Sequence, residues 1–340
     1  VKRNQEKNMT IILDAMGSDN YPHPEVEAAV KYVTQHKEKL VLVGNEEIIQ
    51  KELEKYTYPK ELLEIVHAPE IVEMWDKPVE SARAKPNNSM AIGIKQLQNK
   101  DTDAFVTAGN TGGAMFNAIR TLGRIKGVER PALPAVIPTK SGKAVAVDVG
   151  VNVDCKAEFL LQFALYGSTY AKIMLGIKNP RVGLLSNGEE EGKGNMLVKE
   201  THPLLKQSNL NFVGNVEGKE VFGGKVDVVV MDGFVGNVFL KASEAVAKFM
   251  FDTLKNELYS STRNKLGAAL AKPAFMNLKS LMDPDEIGAL PLLGVDGLVL
   301  IGHGRSNTRA IESALLQAKH SIEANLLAEM KTTLQRELNK

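Results

Sequence analysis

Short runs of β-branched and apolar residues alternate with longer segments of helical period along almost the whole chain. Several runs are apolar at consecutive positions, which is typical of parallel strands covered by helices on both faces. The predicted strands are residues 10–14, 40–43, 62–67, 104–107, 144–149, 181–186, 211–216, 226–231 and 298–301. This alternation predicts an α/β protein built as a three-layer α/β/α sandwich.

The segments between the strands carry helix signals. Pro24 and Glu25 place a proline and a carboxylate in a first turn, and Val26, Val30 and Val33 then share one face. Two longer apolar stripes are Val235, Val238, Ala242, Ala245 and Phe249, and Ile311, Leu315, Ala318, Ile322 and Leu326. We therefore expect a helix after most of the strands.

Residues 256–284 break the alternation. They are rich in apolar side chains, Lys265, Lys272 and Lys279 recur every seven residues, and Pro273 lies in the middle. The pattern predicts two short helices that meet at an apolar tip bearing the proline. We interpret the segment as a projecting helical hairpin.

Composition excludes several classes of protein. The 340 residues carry a formal net charge of only +1, so no overall basic field would recruit nucleic acid. Cys155 is the one cysteine, which excludes a disulfide framework and favours a reducing cytoplasm. Residues 1–8 are polar and are interpreted as a disordered leader, with residues 9–340 as a single catalytic domain. The longest apolar stretch, 287–302, is too short and too interrupted to span a bilayer.

Six predicted strands run directly into turns rich in glycine and asparagine. The turns are residues 14–20, 107–113, 148–152, 186–195, 232–237 and 302–307. In open α/β sheets such turns gather at the carboxyl edge, where ligands bind. Glycine lets the backbone approach a ligand closely, and the next helix offers free N–H groups to an anion. Any one of these turns alone is equally well explained as a tight connection.

Common cofactor signatures are missing. The segment 188–194 resembles a phosphate-binding loop but lacks its spacing and the hydroxyl residue after the lysine. No dinucleotide glycine motif follows the first strand, no serine-hydrolase elbow is present, and the histidines show no metal-binding spacing. We expect neither cofactor nor metal.

Seven segments together resemble one family, and they occur in its order from about Met9 to the final helix. They are Asp14-Ala-Met-Gly, Ala108-Gly-Asn-Thr-Gly, Arg130-Pro-Ala-Leu, Asp148-Val-Gly-x-Asn, Gly188-Glu-Glu-Glu-x-Lys-Gly-Asn, Asp232-Gly-Phe-Val-Gly-Asn and Pro291-Leu-Leu-Gly-Val-x-Gly. The family is the phosphate acyltransferase (PlsX) family of bacterial phospholipid synthesis. The chain departs from its usual pattern at Ser18, where a second glycine is common, and at Val151, where alanine is common.

The resemblance implies an isocitrate/isopropylmalate-dehydrogenase-like fold and a homodimer. It also implies a reaction in which fatty acyl-[acyl carrier protein] and inorganic phosphate give acyl phosphate and free carrier protein. The acyl phosphate would pass to a membrane-bound glycerol-3-phosphate acyltransferase. The expected location is the cytoplasm, with peripheral contact at the inner face of the membrane.

Lys193 and Asn237 are the candidate catalytic residues. Phosphate is already anionic near neutral pH, so its attack on a thioester needs positioning and stabilisation of the carbonyl oxygen. Lys193 supplies a cation in a glycine-flanked turn, and Asn237 supplies an amide donor near a helix start. Without their motifs, these residues would be interpreted as a surface lysine and a turn asparagine. The resemblance implies that both are catalytic.

Other residues of the turns are candidate contacts or supports. Asn110, Thr111, Gly112, Asn152, Gly233 and His303 are expected to bind phosphate or substrate. The alternative for Asn110, Thr111 and Asn152 is capping or turn support, and the alternative for His303 is a structural imidazole. Asp14, Asp148 and Asp232 are expected to orient other groups from the strand ends, with a structural role favoured. The acidic run Glu189 to Glu191 is interpreted as a solvated turn in preference to a metal site.

Cys155 and the hairpin leave alternatives open. At a helix start Cys155 would be a possible acyl-accepting nucleophile, although direct attack by phosphate needs none. The hairpin would serve as a dimer clamp, as a membrane-touching tip or as a docking surface for the acidic carrier protein. The residues involved in carrier or membrane contact would be Arg263, Lys265, Leu270, Lys272 and Phe275.

Three other functions compete with this interpretation. A phosphate acetyl- or butyryltransferase using acyl-CoA shares the chemistry and the layered fold. A dehydrogenase of the isocitrate type would need metal-binding aspartates and a nicotinamide, for which the sequence shows no matching cluster. A non-enzymatic scaffold that senses acyl carrier protein is the third.

Overall fold

Strands and helices alternate through the described residues, which are 9–99, 101–281 and 284–338 of a computed structural model. The strands are β1 (Thr10–Asp14), β2 (Lys39–Gly44), β3 (Leu63–His67), β4 (Ala104–Thr107), β5 (Pro134–Thr139), β6 (Gly142–Val147), β7 (Arg181–Leu185), β8 (Asn211–Val216), β9 (Val228–Val230), β10 (Ala289–Pro291) and β11 (Val299–Gly302). The helices are α1 (His23–His36), α2 (Glu46–Leu53), α3 (Pro78–Ala84), α4 (Ser89–Gln96), α5 (Thr111–Leu122), α6 (Ala157–Met174), α7 (Met196–Gln207), α8 (Gly218–Gly223), α9 (Gly233–Tyr259), α10 (Thr262–Leu281), α11 (Thr308–Glu323) and α12 (Leu326–Leu338). Short 3₁₀ turns cover Lys60–Leu62 and Pro284–Glu286.

These elements form two compact units. The first unit contains the described residues up to Pro131 and those from Pro284 onward, and the second contains those from Ala132 to 281. The prediction of one catalytic domain over residues 9–340 stays a prediction. The expected leader, residues 1–8, lies outside the described residues.

The first unit is built on a six-stranded sheet in the order β10-β11-β4-β1-β2-β3. All neighbours are parallel except β10 and β11. Strand β1 is buried along its whole length, with Ile11 opposite both Leu40 and Ala104. Helices α1 and α11 pack together and contact the sheet, as do α4 and α5. The predicted stripe of α1 is confirmed, because Val26, Val30 and Val33 are buried.

The second unit has a five-stranded sheet in the order β5-β6-β9-β7-β8. Strands β6, β9, β7 and β8 are parallel, and β5 is antiparallel to β6. On one face, Gly167 of α6 lets the helix approach Val147 and Val228, since a Cβ there would lie within 2.8 Å of both side chains. A second cluster of buried small and branched residues includes Ala144, Ala146 and Val229 of the sheet, together with a residue of α8. Residues of the start of α9 pack against it. The predicted layered α/β/α architecture is confirmed.

All nine predicted strands are present, with ends displaced by at most two residues. Two further strands, β5 and β10, were not predicted. Both are antiparallel edge strands, and both contain proline, at Pro134, Pro138 and Pro291. Proline cannot donate to a strand ladder and is therefore confined to such edges. The same residues argued against strands in the sequence.

The helical hairpin is present, but the prediction that it turns at Pro273 is wrong. Helix α9 continues to Tyr259, and α10 is a single helix from Thr262 to Leu281 that contains Pro273. The turn lies at Ser260 and Ser261, where Ser261 Oγ accepts the Asn264 N–H at 3.2 Å. Serine is a preferred residue at helix starts, and this signal outweighs the exposed proline.

Candidate functional site

Three of the glycine-rich turns lie along one edge of the sheet in the second unit. They follow β6, β9 and β7, which are neighbours and parallel, so their carboxyl ends lie at the same edge. The turns are 148–152, 232–237 and 186–195. Both candidate catalytic residues belong to this edge, Asn237 to the second turn and Lys193 to the third.

Asp148 organises the turn after β6. Its carboxylate accepts hydrogen bonds from the backbone N–H groups of Val151 at 3.0 Å and Asn152 at 2.7 Å, and from Asn152 Nδ2 at 2.8 Å. Burial raises the pKa of Asp148, and the hydrogen bonds from Asn152 oppose that effect. The structure therefore favours the structural role for Asp148, and it shows Asn152 engaged in the same network. Cys155 lies beside it, with Sγ donating to the Asn152 carbonyl at 3.3 Å, two residues before α6 begins.

The start of α9 is pressed against this turn. Asp232 caps the helix by accepting the Val235 N–H at 2.9 Å, and the Gly233 N–H donates to the Asn152 carbonyl at 2.7 Å. A Cβ on Gly236 would lie 1.9 Å from the Asp148 carbonyl oxygen. Only glycine fits at this point. Asp232 is thus a helix cap, and the backbone of Gly233 is already used in packing the two turns together.

Asn237 lies one helical turn after the start of α9, on the side that faces residues 148–152. Its side chain is exposed, and a Cβ on Gly150 would lie 3.4 Å from its Cγ. Within the described part of the chain, its amide makes no hydrogen bond. The side chain therefore has both amide groups available at the carboxyl edge of the sheet.

Lys193 lies in the turn between β7 and α7. Asn187 Oδ1 accepts the Gly194 N–H at 2.9 Å, Asn195 caps α7 through the Val198 N–H at 2.9 Å, and the Lys193 N–H donates to the Glu190 carbonyl at 3.0 Å. The lysine stem crosses Gly188, where a Cβ would lie 2.8 Å from its Cγ. Its ammonium group is exposed and has no hydrogen bond or ion pair with any described residue.

Two carboxylates of the acidic run before Lys193 pair with other cations. Glu189 lies 2.8 Å from Lys225 and 3.4 Å from Lys219, and Glu191 lies 3.1 Å from Lys206. Across the residues that the structure describes, no group of three histidine, cysteine or acidic side chains is arranged to hold a metal ion. The carboxylates of Glu189 and Glu191 are thus paired with lysines other than Lys193.

In the first unit, the turns after β1, β4 and β11 lie along a second carboxyl edge, since these three strands are parallel neighbours. Buried Asp14 accepts hydrogen bonds from Thr107 Oγ1 at 2.7 Å and the Met16 N–H at 3.0 Å. Burial is the main cause that raises the pKa of Asp14. The Asp19 N–H donates to the Gly304 carbonyl at 2.7 Å, which joins the first and third turns.

Asn110 is engaged by the protein itself. Its Oδ1 caps α5 by accepting the Gly113 N–H at 2.9 Å. Its Nδ2 lies within 3.3 Å of three backbone carbonyl oxygens, those of Glu73, Met74 and Asp76. The structure favours the capping alternative for this residue, because no part of its amide is left for a phosphate ion.

The other predicted contacts of this unit are placed differently. Thr111 is the first residue of α5, and Gly112 packs against Pro78, whose Cγ would lie 2.4 Å from an added Cβ. His303 has an exposed side chain, and its carbonyl accepts the N–H and the hydroxyl of Ser306. A contact of these residues with phosphate stays a prediction.

A buried pair that the sequence did not single out lies beneath the turn after β1. Glu25 is fully buried, and its Oε1 accepts the Ser18 N–H at 2.8 Å. Neither Glu25 Oε2 nor Ser18 Oγ has a hydrogen-bond partner among the described residues. Burial raises the pKa of Glu25 to about 7. The sequence indicated only a first-turn carboxylate, and such groups are usually solvent-exposed; the one hint was the serine at position 18.

The predicted carrier or membrane contacts all lie on α10. Arg263, Lys265 and Lys272 are exposed, Leu270 is 87% exposed, and Phe275 is half-buried. None of them lies at the turn of the hairpin. Among the described residues, no helix combines the length and the apolar character needed to cross a membrane.

The two largely parallel sheets, with polar turns at their carboxyl edges, define a layered α/β protein of the class that binds ligands at these edges. Comparison with known proteins makes this specific. The model of the fatty acid synthesis protein family matches residues 9–329. The phosphate acyltransferase of Dictyoglomus turgidum is 47% identical over 317 residues, which cover 93% of this chain and 94% of that protein. The phosphate acyltransferase of Halothermothrix orenii is 41% identical and covers 98% of this chain and 99% of its own length. The chain therefore belongs to the fatty acid synthesis protein family, as one of its phosphate acyltransferase enzymes.

Solved structures share the fold at low sequence identity. A phosphotransacetylase from Streptococcus pyogenes superimposes with a TM-score of 0.62 at 17% identity, covering 94% of this chain and 95% of that one. A 4-hydroxythreonine-4-phosphate dehydrogenase from Klebsiella pneumoniae gives a TM-score of 0.54 at 12% identity, covering 93% and 99%. The layered fold is thus common to transferases and dehydrogenases, and the fold by itself does not select the reaction.

Proposed function

We propose that the chain transfers a fatty acyl group from the thioester of acyl carrier protein to inorganic phosphate. One observation carries the assignment of the site. Among the polar candidates at the second-unit edge, Lys193 and Asn237 have side chains that no described residue engages, whereas Asp148, Asn152 and Asp232 are committed to holding the turns. A side chain that makes no hydrogen bond to the protein, on a backbone that other hydrogen bonds hold in place, is suited to bind a reactant.

The reaction follows from these two groups. An oxygen of phosphate attacks the thioester carbonyl carbon, and the new C–O bond forms as the tetrahedral oxyanion develops. The C–S bond then breaks, and the carrier thiolate leaves and takes a proton from water. Lys193 neutralises the anionic phosphate and the developing charge, and the Asn237 amide donates to the carbonyl oxygen. No acyl-enzyme is needed, because phosphate itself is the nucleophile.

The expected size of each contribution can be stated. Loss of one preorganised oxyanion donor costs about 3 kcal/mol, a fall of roughly 10²- to 10³-fold in kcat. We expect Lys193→Ala and Asn237→Ala each to fall in this range. Lys199→Ala is the matched control, because Lys199 is an exposed lysine in the first turn of α7, six residues after Lys193.

The test measures the phosphate-dependent release of free thiol from acyl carrier protein that carries a long-chain fatty acyl group. The wild type and Lys199→Ala should release thiol at similar rates, and the two site variants should be slow while retaining their circular dichroism spectra. Full activity in either site variant would refute its assignment. Faster release from a short acyl-CoA would instead favour the second candidate, a phosphate acetyl- or butyryltransferase, which the shared phosphotransacetylase fold brings into consideration.

The hairpin of α9 and α10 is proposed as the homodimer surface. Val246, Phe249 and Met250 are each more than 60% exposed on α9, and such a run of apolar side chains is normally covered. Contact with the carrier protein through Arg263, Lys265 and Lys272, and peripheral contact with the membrane through Leu270 and Phe275, are the alternatives. The acyl phosphate would be consumed by a membrane glycerol-3-phosphate acyltransferase, so the enzyme would work in the cytoplasm near the inner face of the membrane.

A further inference from the structure

A buried asparagine lies directly beneath the turn that carries Lys193. Asn215 is at the carboxyl end of β8, where it pairs with Leu184 of β7, and it is only 2% exposed. Its Nδ2 donates to the Glu190 carbonyl at 2.9 Å. The same carbonyl accepts the Lys193 N–H at 3.0 Å. One backbone oxygen therefore joins the Asn215 side chain to the backbone of Lys193.

The orientation of the Asn215 amide is fixed by this contact. A backbone carbonyl can only accept, so the NH₂ group must face Glu190 and the amide oxygen must face away. That oxygen has no hydrogen-bond partner in the described part of the chain, and neither has the neighbouring Ser186 Oγ. An unpaired buried oxygen is unfavourable, and an apolar side chain would avoid it. What asparagine contributes here is the bond to Glu190.

This bond should hold the centre of the turn more firmly than the ion pairs at its margins. Glu189, Lys219 and Lys225 are each at least 44% exposed, and exposed ion pairs contribute little to stability. The Asn215 end of the bond is buried, so its NH₂ group would be left without a partner away from water if the bond broke, which costs more than breaking an exposed ion pair. Asn215 thus holds the Glu190 side of the turn, while the bond from the Gly194 N–H to Asn187 holds the other side of Lys193.

We propose that Asn215 is a positioning residue for Lys193: its amide fixes the Glu190 carbonyl, and through it the backbone from which the Lys193 ammonium reaches the anionic reactants. The inference rests on the proposed function of Lys193. Asn215 does not touch the substrate itself. A misplacement of a reactive group by about 1 Å can reduce a rate by roughly 10²-fold.

The variant Asn215→Asp keeps the shape of the side chain and removes the donor. We expect kcat to fall about 10- to 100-fold, with the KM for fatty acyl-[acyl carrier protein] changed by less than about twofold. The matched control is Asn211→Asp at the other end of β8, where Nδ2 also donates to a backbone carbonyl, that of Asn179 at 3.2 Å. The control should retain the wild-type rate.

Two further readouts separate positioning from a general loss of structure. In the Lys193→Ala background, Asn215→Asp should cause no further loss, because both changes remove the same contribution. The rate of Asn215→Asp relative to wild type should also rise as the pH is lowered, since a protonated carboxyl group can again donate to Glu190. Asn215→Ser provides a second variant should the aspartate prevent folding, and it is expected to lose activity to the same degree.

The outcomes are distinct. If Lys193→Ala is slow but a folded Asn215→Asp or Asn215→Ser has the wild-type rate, the positioning role alone is overturned. Losses that multiply in the double variant overturn it as well. Full activity of Lys193→Ala overturns the catalytic assignment of Lys193 and this inference together, whereas the proposed reaction itself is overturned only if the wild type releases no thiol. Slow Asn215 variants that add nothing in the Lys193→Ala background support the positioning role.

Discussion

The buried Glu25 carboxyl group should make the stability of the protein depend on pH, and Glu25→Gln should remove that dependence. Glutamine keeps the size of the side chain, and its oxygen can still accept the Ser18 N–H now bonded to Oε1 at 2.8 Å. The substitution therefore removes the ionisation and leaves the packing. Any change in the slope of stability with pH belongs to the carboxyl group.

The magnitude follows from the pKa. Burial raises the pKa of Glu25 from an ordinary value of 4.5 to about 7, so between these values the folded state holds a proton that the unfolded state has released. The free energy of unfolding then falls as the pH rises through this window. The stability that the protonated group contributes is fully present below pH 4.5 and is lost above pH 7. The total loss is about 3 kcal/mol, at roughly 1.4 kcal/mol per pKa unit.

The assay is urea unfolding followed by circular dichroism at several pH values from 4.5 to 8. The difference in unfolding free energy, wild type minus Glu25→Gln, should decrease by about 3 kcal/mol across this range. Asp148 also has a raised pKa, but it is present in both proteins and cancels in the difference, whereas the charge of Asp14 contributes to the raised pKa of Glu25 and is part of the effect measured. Curves that stay parallel at all pH values would refute the reasoning.

The control is Glu27→Gln. Glu27 lies on the same helix, α1, but its pKa is shifted in the opposite direction. Hydrogen bonds from Thr308 and Lys31 lower the pKa of Glu27, so its carboxylate stabilises the folded state above the ordinary glutamate pKa and loses that contribution as the pH falls. Below pH 4.5, Glu27→Gln should therefore change the slope in the direction opposite to the change that Glu25→Gln produces between pH 4.5 and 7, and the control series is measured below pH 4.5 as well. A common effect of removing any acidic group from α1 could not produce this result.

Three other predictions concern the site and the hairpin. Cys155→Ser should retain nearly full turnover in the thiol-release assay, because serine can replace the Sγ bond to the Asn152 carbonyl and phosphate attacks unaided; a loss of 100-fold or more would favour a covalent route. Gly236→Ala should displace the start of α9 and lower both the activity and the melting temperature, because its Cβ would lie 1.9 Å from the Asp148 carbonyl oxygen. The control is Gly267→Ala in α10, which has open space around the new Cβ and should stabilise the protein by about 0.5–1 kcal/mol. Phe249→Glu should shift the sedimentation coefficient toward that of the monomer if α9 forms the dimer surface. The membrane alternative is tested by flotation with anionic liposomes, and it is excluded if Leu270→Glu plus Phe275→Glu leaves the flotation unchanged.

The interior of the fold could be predicted from sequence because its strands are buried on both faces. Runs such as Thr10–Asp14 and Ala104–Thr107 are apolar or β-branched except for the final Asp14, and their bounds agree with the structure. The edges could not, since an antiparallel edge strand such as β5 tolerates proline and carries no such run. The hairpin turn was misplaced for a related reason. Pro273 is the signal that the sequence pattern offers, but Ser261 accepts the Asn264 N–H at the turn, and the exposed helix α10 continues through the proline.

The site shows where sequence reasoning ends. Asn110 and Asn237 are the same residue type, and both occur in a glycine-bearing turn after a parallel strand. The amide of one is consumed by a helix cap and three carbonyl groups, whereas that of the other is free. The difference depends on residues that are distant in sequence, such as Glu73 and Asp76 for Asn110, and no local pattern records it. The same holds for Asn215, whose partner Glu190 lies 25 residues away and is fixed only by the pairing of β7 with β8. A turn motif can therefore predict which edge of a sheet binds a ligand, while the division between groups that hold the turn and groups that meet the ligand follows from the hydrogen bonds that the fold has already used.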